Sequence, residues 1–103
     1  MELDFKKKKL RVLKNSSGVE FELLPFRLKV FVKLDDLYKV KTALEMQFFG
    51  TLKEKVVVQG ENGYLVFFKG RDRWGLRLSD GKVREAVYLS RKDVLEMKNY
   101  LGG

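Results

Sequence analysis

The chain has no cysteine and no histidine among its 103 residues. These absences remove disulfides, thiol nucleophiles, zinc centres of the usual Cys/His kind and imidazole acid–base chemistry. Proline occurs once, at Pro25, so only one point in the chain carries a fixed φ and a missing N–H donor. Long hydrophobic runs are also missing: the longest, "VVV" at 56–58 and "YLVFF" at 64–68, are far too short to span a bilayer as helices. The first residues are basic without the apolar stretch that a signal peptide needs. The expectation is a cytoplasmic protein with no membrane partner. A cysteine-free, Lys- and Glu-rich composition also fits a thermophile's intracellular protein.

What the chain has in excess is positive charge. Twenty-two Lys and Arg stand against 14 Asp and Glu, a net charge of +8, which favours phosphate polyanions over basic partners. The excess is evenly spread, with 11 basic and 7 acidic residues in each of 1–50 and 51–103. A basic tail on a neutral domain is therefore excluded, although "KKKK" at Lys6–Lys9 reads as a solvated arm. With 45% apolar and 35% charged residues, the chain is expected to fold as one domain, 1–103.

Hydrophobic periodicity divides the chain into strands and two helices. "LRVLK" (10–14) reads as a short strand, and "VEFEL" (19–23) places Val19, Phe21 and Leu23 on one face. "FRLKVFVKL" (26–34) turns Phe26, Leu28, Val30, Val32 and Leu34 one way and Arg27, Lys29, Phe31 and Lys33 the other. Asp35 is a candidate N-cap for a helix running to about Phe49, with Leu37, Val40, Leu44 and Phe48 as its stripe and Gly50 as its stop. In the second half "KVVVQ", "YLVFFK", "WGLRL" and "KVREAVYL" give four strand-like runs separated by "GENG", "GRDR" and "SDG". "SRKD" at 90–93 then has the spacing of a capping box, and Val94, Met97 and Leu101 form a second helical stripe.

The expected fold is α+β: an antiparallel sheet built from strand-meander-then-helix halves, βββα-ββββα, with both helices on one face and the other face open. Residues 1–50 and 51–103 read as degenerate half-repeats. Laying Val30–Leu44 on Val87–Leu101 pairs Val30 with Val87, Asp36 with Asp93, Lys41 with Lys98 and Leu44 with Leu101.

The open face would interleave cations with aromatics, the pattern that single-stranded nucleic acid requires for its phosphates and unstacked bases. Its candidate residues are Arg27, Lys29, Phe31, Lys33, Phe67, Lys69, Arg71, Arg73, Trp74, Arg77, Arg84 and Tyr88. In "YLVFFK" two sets compete for the outer face, and Lys69 favours Leu65, Phe67 and Lys69 over Tyr64, Val66 and Phe68. Alternating basic residues on a strand also serve solubility and edge protection, and Phe31 and Phe67 could instead pack under a second sheet or a partner. Trp74, inside "GRDRWG", has two candidate roles: packing at the core or its rim beside Leu76 and Leu78, or stacking on a base.

Residues 55–101, four strands followed by "YLSRKDVLEMKNYL", resemble the nucleic-acid-binding PUR repeat and the related Whirly and positive-cofactor-four coactivator folds. The resemblance implies a curved sheet that binds single-stranded DNA or RNA, and a homodimer. A more distant similarity is to thermophile single-strand-binding proteins of the ThermoDBP kind, from composition.

Catalysis is not expected. Clustered carboxylates for Mg²⁺ are missing, because Asp35 and Asp36 start a helix and Asp72, Asp80 and Asp93 look like turn or cap residues. "GRDRWG" lacks the spacing and the Lys-Ser/Thr pair of a P-loop. No cofactor is implied. Two alternatives remain: a protein-interaction or structural module of a thermophile or its virus, and a small basic ribonuclease or toxin-like protein recruiting Arg77, Arg84 and Tyr88.

Overall fold

Period-two alternation, clearest in the strand at Leu28–Lys33 where Leu28, Val30 and Val32 are buried, sets the architecture. The computed structural model describes residues 1–102, among which the chain forms eight strands and two α-helices. β1 (Glu2–Asp4), β2 (Lys9–Asn15), β3 (Gly18–Leu24) and β4 (Leu28–Lys33) make one antiparallel meander. A single 3₁₀ turn (Leu34–Asp36) leads into α1 (Leu37–Phe48). β5 (Val56–Gln59), β6 (Tyr64–Lys69), β7 (Trp74–Ser79) and β8 (Arg84–Leu89) make the second antiparallel meander, followed by α2 (Arg91–Gly102).

The α+β class and the meander-then-helix halves are as the sequence predicts, with two differences. The sheet is divided into two four-stranded sheets, and the first half has four strands rather than three. The extra strand, β1, is three residues long and buries only Leu3, too short to carry a legible alternation. The alignment that pairs Val30 with Val87 also lays β4 on β8, and it sets Leu34 of the 3₁₀ turn on Arg91, the first residue of α2.

One core serves both halves. Inward residues of the first sheet, such as Val12, Phe21 and Val30, join those of the second, such as Leu65, Phe67 and Leu76. The stripes Leu37, Val40 and Leu44 of α1 and Val94, Met97 and Leu101 of α2 enter the same cluster, and the two helices pack against each other.

α1 starts without a side-chain cap: the capping position falls to Asp36, not Asp35, because the 3₁₀ turn occupies 34–36. It ends in a Schellman motif, with Thr51 N–H donating to Met46 O (2.8 Å) and Gly50 N–H to Gln47 O (3.2 Å). Gly50 carries the left-handed φ of 70° that this ending requires. α2 begins with the capping box: Ser90 N–H donates to Asp93 Oδ2 (3.0 Å) and Asp93 N–H to Ser90 Oγ (3.1 Å).

One edge strand of each sheet, β4 and β8, is met by a hairpin turn from the other sheet. Asn62, in the β5–β6 turn, accepts from Phe31 N–H (3.0 Å) and donates to Lys29 O (2.7 Å), and Glu61 N–H donates to Phe31 O (2.9 Å). In return Lys8, in the β1–β2 turn, donates to Ala86 O at 2.7 Å and pairs with Glu85 at 3.3 Å. The tetralysine is therefore not a free arm: Lys8 docks on β8, and Lys9 begins β2. Among the described residues no helix is long and apolar enough to cross a membrane.

Candidate nucleic-acid interface

The two sheets each turn one face away from the core, and these faces differ in charge. On the first sheet the cross-strand row Glu2, Arg11, Glu22, Lys29 alternates in sign. Arg11 Nε lies 3.0 Å from Glu2 and its Nη1 3.4 Å from Glu22, while Lys29 Nζ lies 4.0 Å from Glu22. Lys9 pairs with Glu2 and Asp4 in the neighbouring row. The hydrogen bond from Arg11, with the charge of Lys9, holds the Glu2 carboxyl below the usual carboxylate range. The cations on this face are met by acids in adjacent positions.

On the second sheet the outward rows are Phe68–Gly75–Tyr88, Val57–Val66–Arg77–Ala86 and Gln59–Tyr64–Ser79–Arg84. These strand positions hold no acid. Phe68 lies across Gly75, where a Cβ would run into its ring, so any larger residue at 75 displaces Phe68. Tyr88 meets the Phe68 ring edge-to-face at 6.0 Å, and the Arg77 guanidinium sits 5.3 Å from the Phe68 centroid. Tyr88 is 50% exposed and Val57 51% exposed, so the face is apolar, aromatic and cationic together.

The structure places eleven of the twelve candidate residues in four groups. Arg77, Arg84 and Tyr88 share the outer face of the second sheet. Lys69, Arg71, Arg73 and Trp74 gather at the β6–β7 turn, closed by Gly70 N–H donating to Arg73 O at 2.7 Å. Lys29, Phe31 and Lys33 lie on the first sheet, where Lys29 faces Glu22 and Lys33 pairs with Glu61 at 3.5 Å. Arg27 is not on a strand face: β4 starts one residue later, and Arg27 sits in the preceding turn with φ 54°.

Phe67 is a correction. It is fully buried in the core, and Phe68 takes the outer position expected for it. Lys69 shares the inward parity of Phe67, but it ends β6, where a long side chain escapes to solvent. The decisive signal was register: Leu76 and Leu78 must face the core, and they pair with Phe67 and Leu65. Tyr64 is likewise an outward residue that the sequence reading left out.

Trp74 sits at the rim of the core. Its parity is that of Leu76 and Leu78, it packs half-buried against the core, and its remaining surface lines a cleft of about 880 Å³. The β1–β2 turn (Phe5–Lys8) forms one wall, Asp72–Trp74 another, Ala86–Leu89 of β8 the floor, and the start of α2 the end. Phe5 and the lysine turn entered no sequence-based site, since nothing local places residue 5 near residue 74.

No group of three or more acidic residues able to hold a metal ion exists among the described residues. Comparison with protein families, with curated proteins and with solved structures finds no match to this chain.

Proposed function

We propose that the chain binds single-stranded DNA or RNA across the outer face of the second sheet, and that it does so without chemistry. The observation carrying this reading is the asymmetry between the two open faces. One face spends its cations on its own carboxylates. The other sets Arg77 and Arg84 among Tyr64, Phe68 and Tyr88 with no acid at its outward strand positions. Arginines serve phosphates and aromatic rings serve bases, each stacked base contributing about 1–3 kcal/mol. The net charge of +8 adds attraction at a distance. The resemblance of the second half to PUR, Whirly and positive-cofactor-four folds supports the same reading, and the twofold order of four strands then a helix agrees with it.

The test is a titration of labelled oligo-dT, oligo-rU and matched duplex at several salt concentrations. With about four phosphates engaged, log K falls against log salt with a slope of roughly −3. Arg77→Ala/Arg84→Ala reduces that slope by about 1.4, from two lost contacts at about 0.7 each. Lys29→Ala, on the self-neutralised face, leaves affinity unchanged. Equal losses from Lys29→Ala and from Arg77→Ala would remove the second sheet from its role, and tighter binding of duplex than of single strand would end the proposal.

A second reading rests on exposed Val57 and half-buried Ala86, apolar ends of the row that also holds buried Val66 and Arg77, which suit contact with protein. Here the face meets a second copy of the chain, and the homodimer implied by the family resemblance forms through it.

A further inference from the structure

We infer that the cleft beside Trp74 is a nucleotide pocket, taking one base unstacked from the strand with its phosphate held at the mouth. The inference rests on the single-strand reading and adds to it a discrete site at the edge of the sheet face.

The volume of about 880 Å³ falls inside the range of about 300–1,000 Å³ typical of small-ligand sites. Its apolar lining is aromatic, with Phe5, Trp74 and Tyr88 contributed by three separate elements. Tyr88 belongs both to the cleft and to the outer row Phe68–Gly75–Tyr88, so a strand on the sheet face reaches the cleft without a gap.

Charge at the mouth selects an anion. Lys8 is engaged by Ala86 O and Glu85, and Arg91 stacks on Phe48 at 4.4 Å. Lys6, Lys7 and Arg73 also line the cleft and form no ion pair among the described residues. Asp93 is occupied by the capping box, which leaves Asp72 as the one acid against those three cations. An acidic group entering between the lysine turn and Arg73 is therefore favoured, while a neutral ligand leaves that charge unanswered.

The floor runs along the edge of β8, and an extended peptide could in principle add there as a strand. Lys8 already occupies the Ala86 carbonyl on that edge, which is how sheet edges are blocked against strand addition. A flat ring on Trp74 needs no backbone groups from β8.

Trp74 is the chain's only tryptophan, so its fluorescence reports on the cleft alone. The experiment titrates the whole chain with dTMP and with oligo-dT while following that emission, alongside the anisotropy of labelled oligo-dT. Saturable quenching by both ligands is expected, with Lys6→Ala/Lys7→Ala weakening dTMP binding and lowering the oligo-dT salt slope by about 1.4. Trp74→Phe keeps a ring and retains most of the affinity. Trp74→Ala, checked for folding by its melting curve, weakens oligo-dT about five- to hundredfold, the equivalent of about 1–3 kcal/mol per stacked base. The lysine pair lies in an exposed turn, so its test does not depend on the tryptophan variants folding. If oligo-dT binds by anisotropy while emission is unmoved and the lysine variant is indifferent, the pocket is overturned and the sheet-face reading stands. If dTMP quenches but no oligonucleotide binds, the single-strand reading falls, and with it the strand-linked role given to the pocket.

Discussion

At the scale of single residues, the neighbours Phe67 and Phe68 have opposite environments. Phe67 pairs with Val56 and Leu76 on the inward side, and Phe68 covers Gly75 on the outward side. Their alanine variants should therefore separate stability from binding. Phe67→Ala is expected to lower unfolding free energy by about 3–5 kcal/mol, as for a large aromatic deleted from a core. Phe68→Ala should cost less stability and weaken oligo-dT instead, by about 1–3 kcal/mol if a base stacks there. Denaturant melts and anisotropy on the same two variants check this, and a larger stability loss at Phe68 would reverse the assignment. Alternation alone could not choose between these phenylalanines, because "YLVFFK" is apolar at five consecutive positions. The choice needed the partner strand, where "WGLRL" has only one sensible burial pattern. Gln47 was also hidden from the sequence: a polar residue in a helix reads as solvated, yet it is fully buried and donates to Phe68 O (3.3 Å) and Gly75 O (3.0 Å). Its Oε1 is left without a partner.

At the scale of elements, turn and cap chemistry was the most legible part. The "SRKD" capping box, the Gly50 stop and all four strands of the second half stand where the sequence puts them. β1 and the 3₁₀ turn were not legible, since three residues carry too little pattern and a 3₁₀ turn shares its composition with a helix start. The turn between β7 and β8 is held by Asp80, whose Oδ1 accepts from the N–H groups of Lys82 and Val83, both at 2.9 Å. The Val83 and then the Lys82 bond hold its carboxyl below the ordinary aspartate value of 3.8. A carboxyl depressed in the folded state stabilises above its unfolded value, and that contribution is lost as pH falls through the folded one. Melting temperature should accordingly decline as pH drops below the ordinary aspartate value of 3.8. Asp80→Asn keeps an acceptor oxygen without the charge, so a melting series from pH 5 to pH 2 should decline less steeply in that variant. An unchanged slope would show that the Asp80 bonds do not persist in solution.

At the scale of the molecule, the sheet faces that one chain leaves open decide its company. The outer face of the second sheet offers Val57, Tyr88 and their neighbours to solvent, and the second reading above predicts a two-fold dimer through it. Sedimentation at micromolar to millimolar concentration should then give a dimer, and Val57→Lys should return it to monomer. Oligo-dT and dimerisation would compete for this surface, so added oligonucleotide should shift the population towards monomer. A monomer throughout the concentration range discards the dimer and leaves the face to the strand. The sequence foresaw an open basic and aromatic face but placed part of it on the first sheet. Charge pairing across strands, as in Glu2–Arg11–Glu22–Lys29, follows from a register that no single strand encodes.

The reciprocal closure of the sheet edges by Asn62 and Lys8 has a consequence for how the chain ages and fails. Each meander ends in an edge strand, β4 or β8, some of whose backbone groups are met only by the other half, so neither half is self-limiting on its own. The connector between Phe49 and Lys55 keeps the two at an effective concentration in the millimolar range of short tethers. Nicked there by a protease, the halves would hold together only by their shared core and these few bonds. Once parted, each would present a bare strand edge to any other copy, and fibre-like stacking would replace refolding as the easier path.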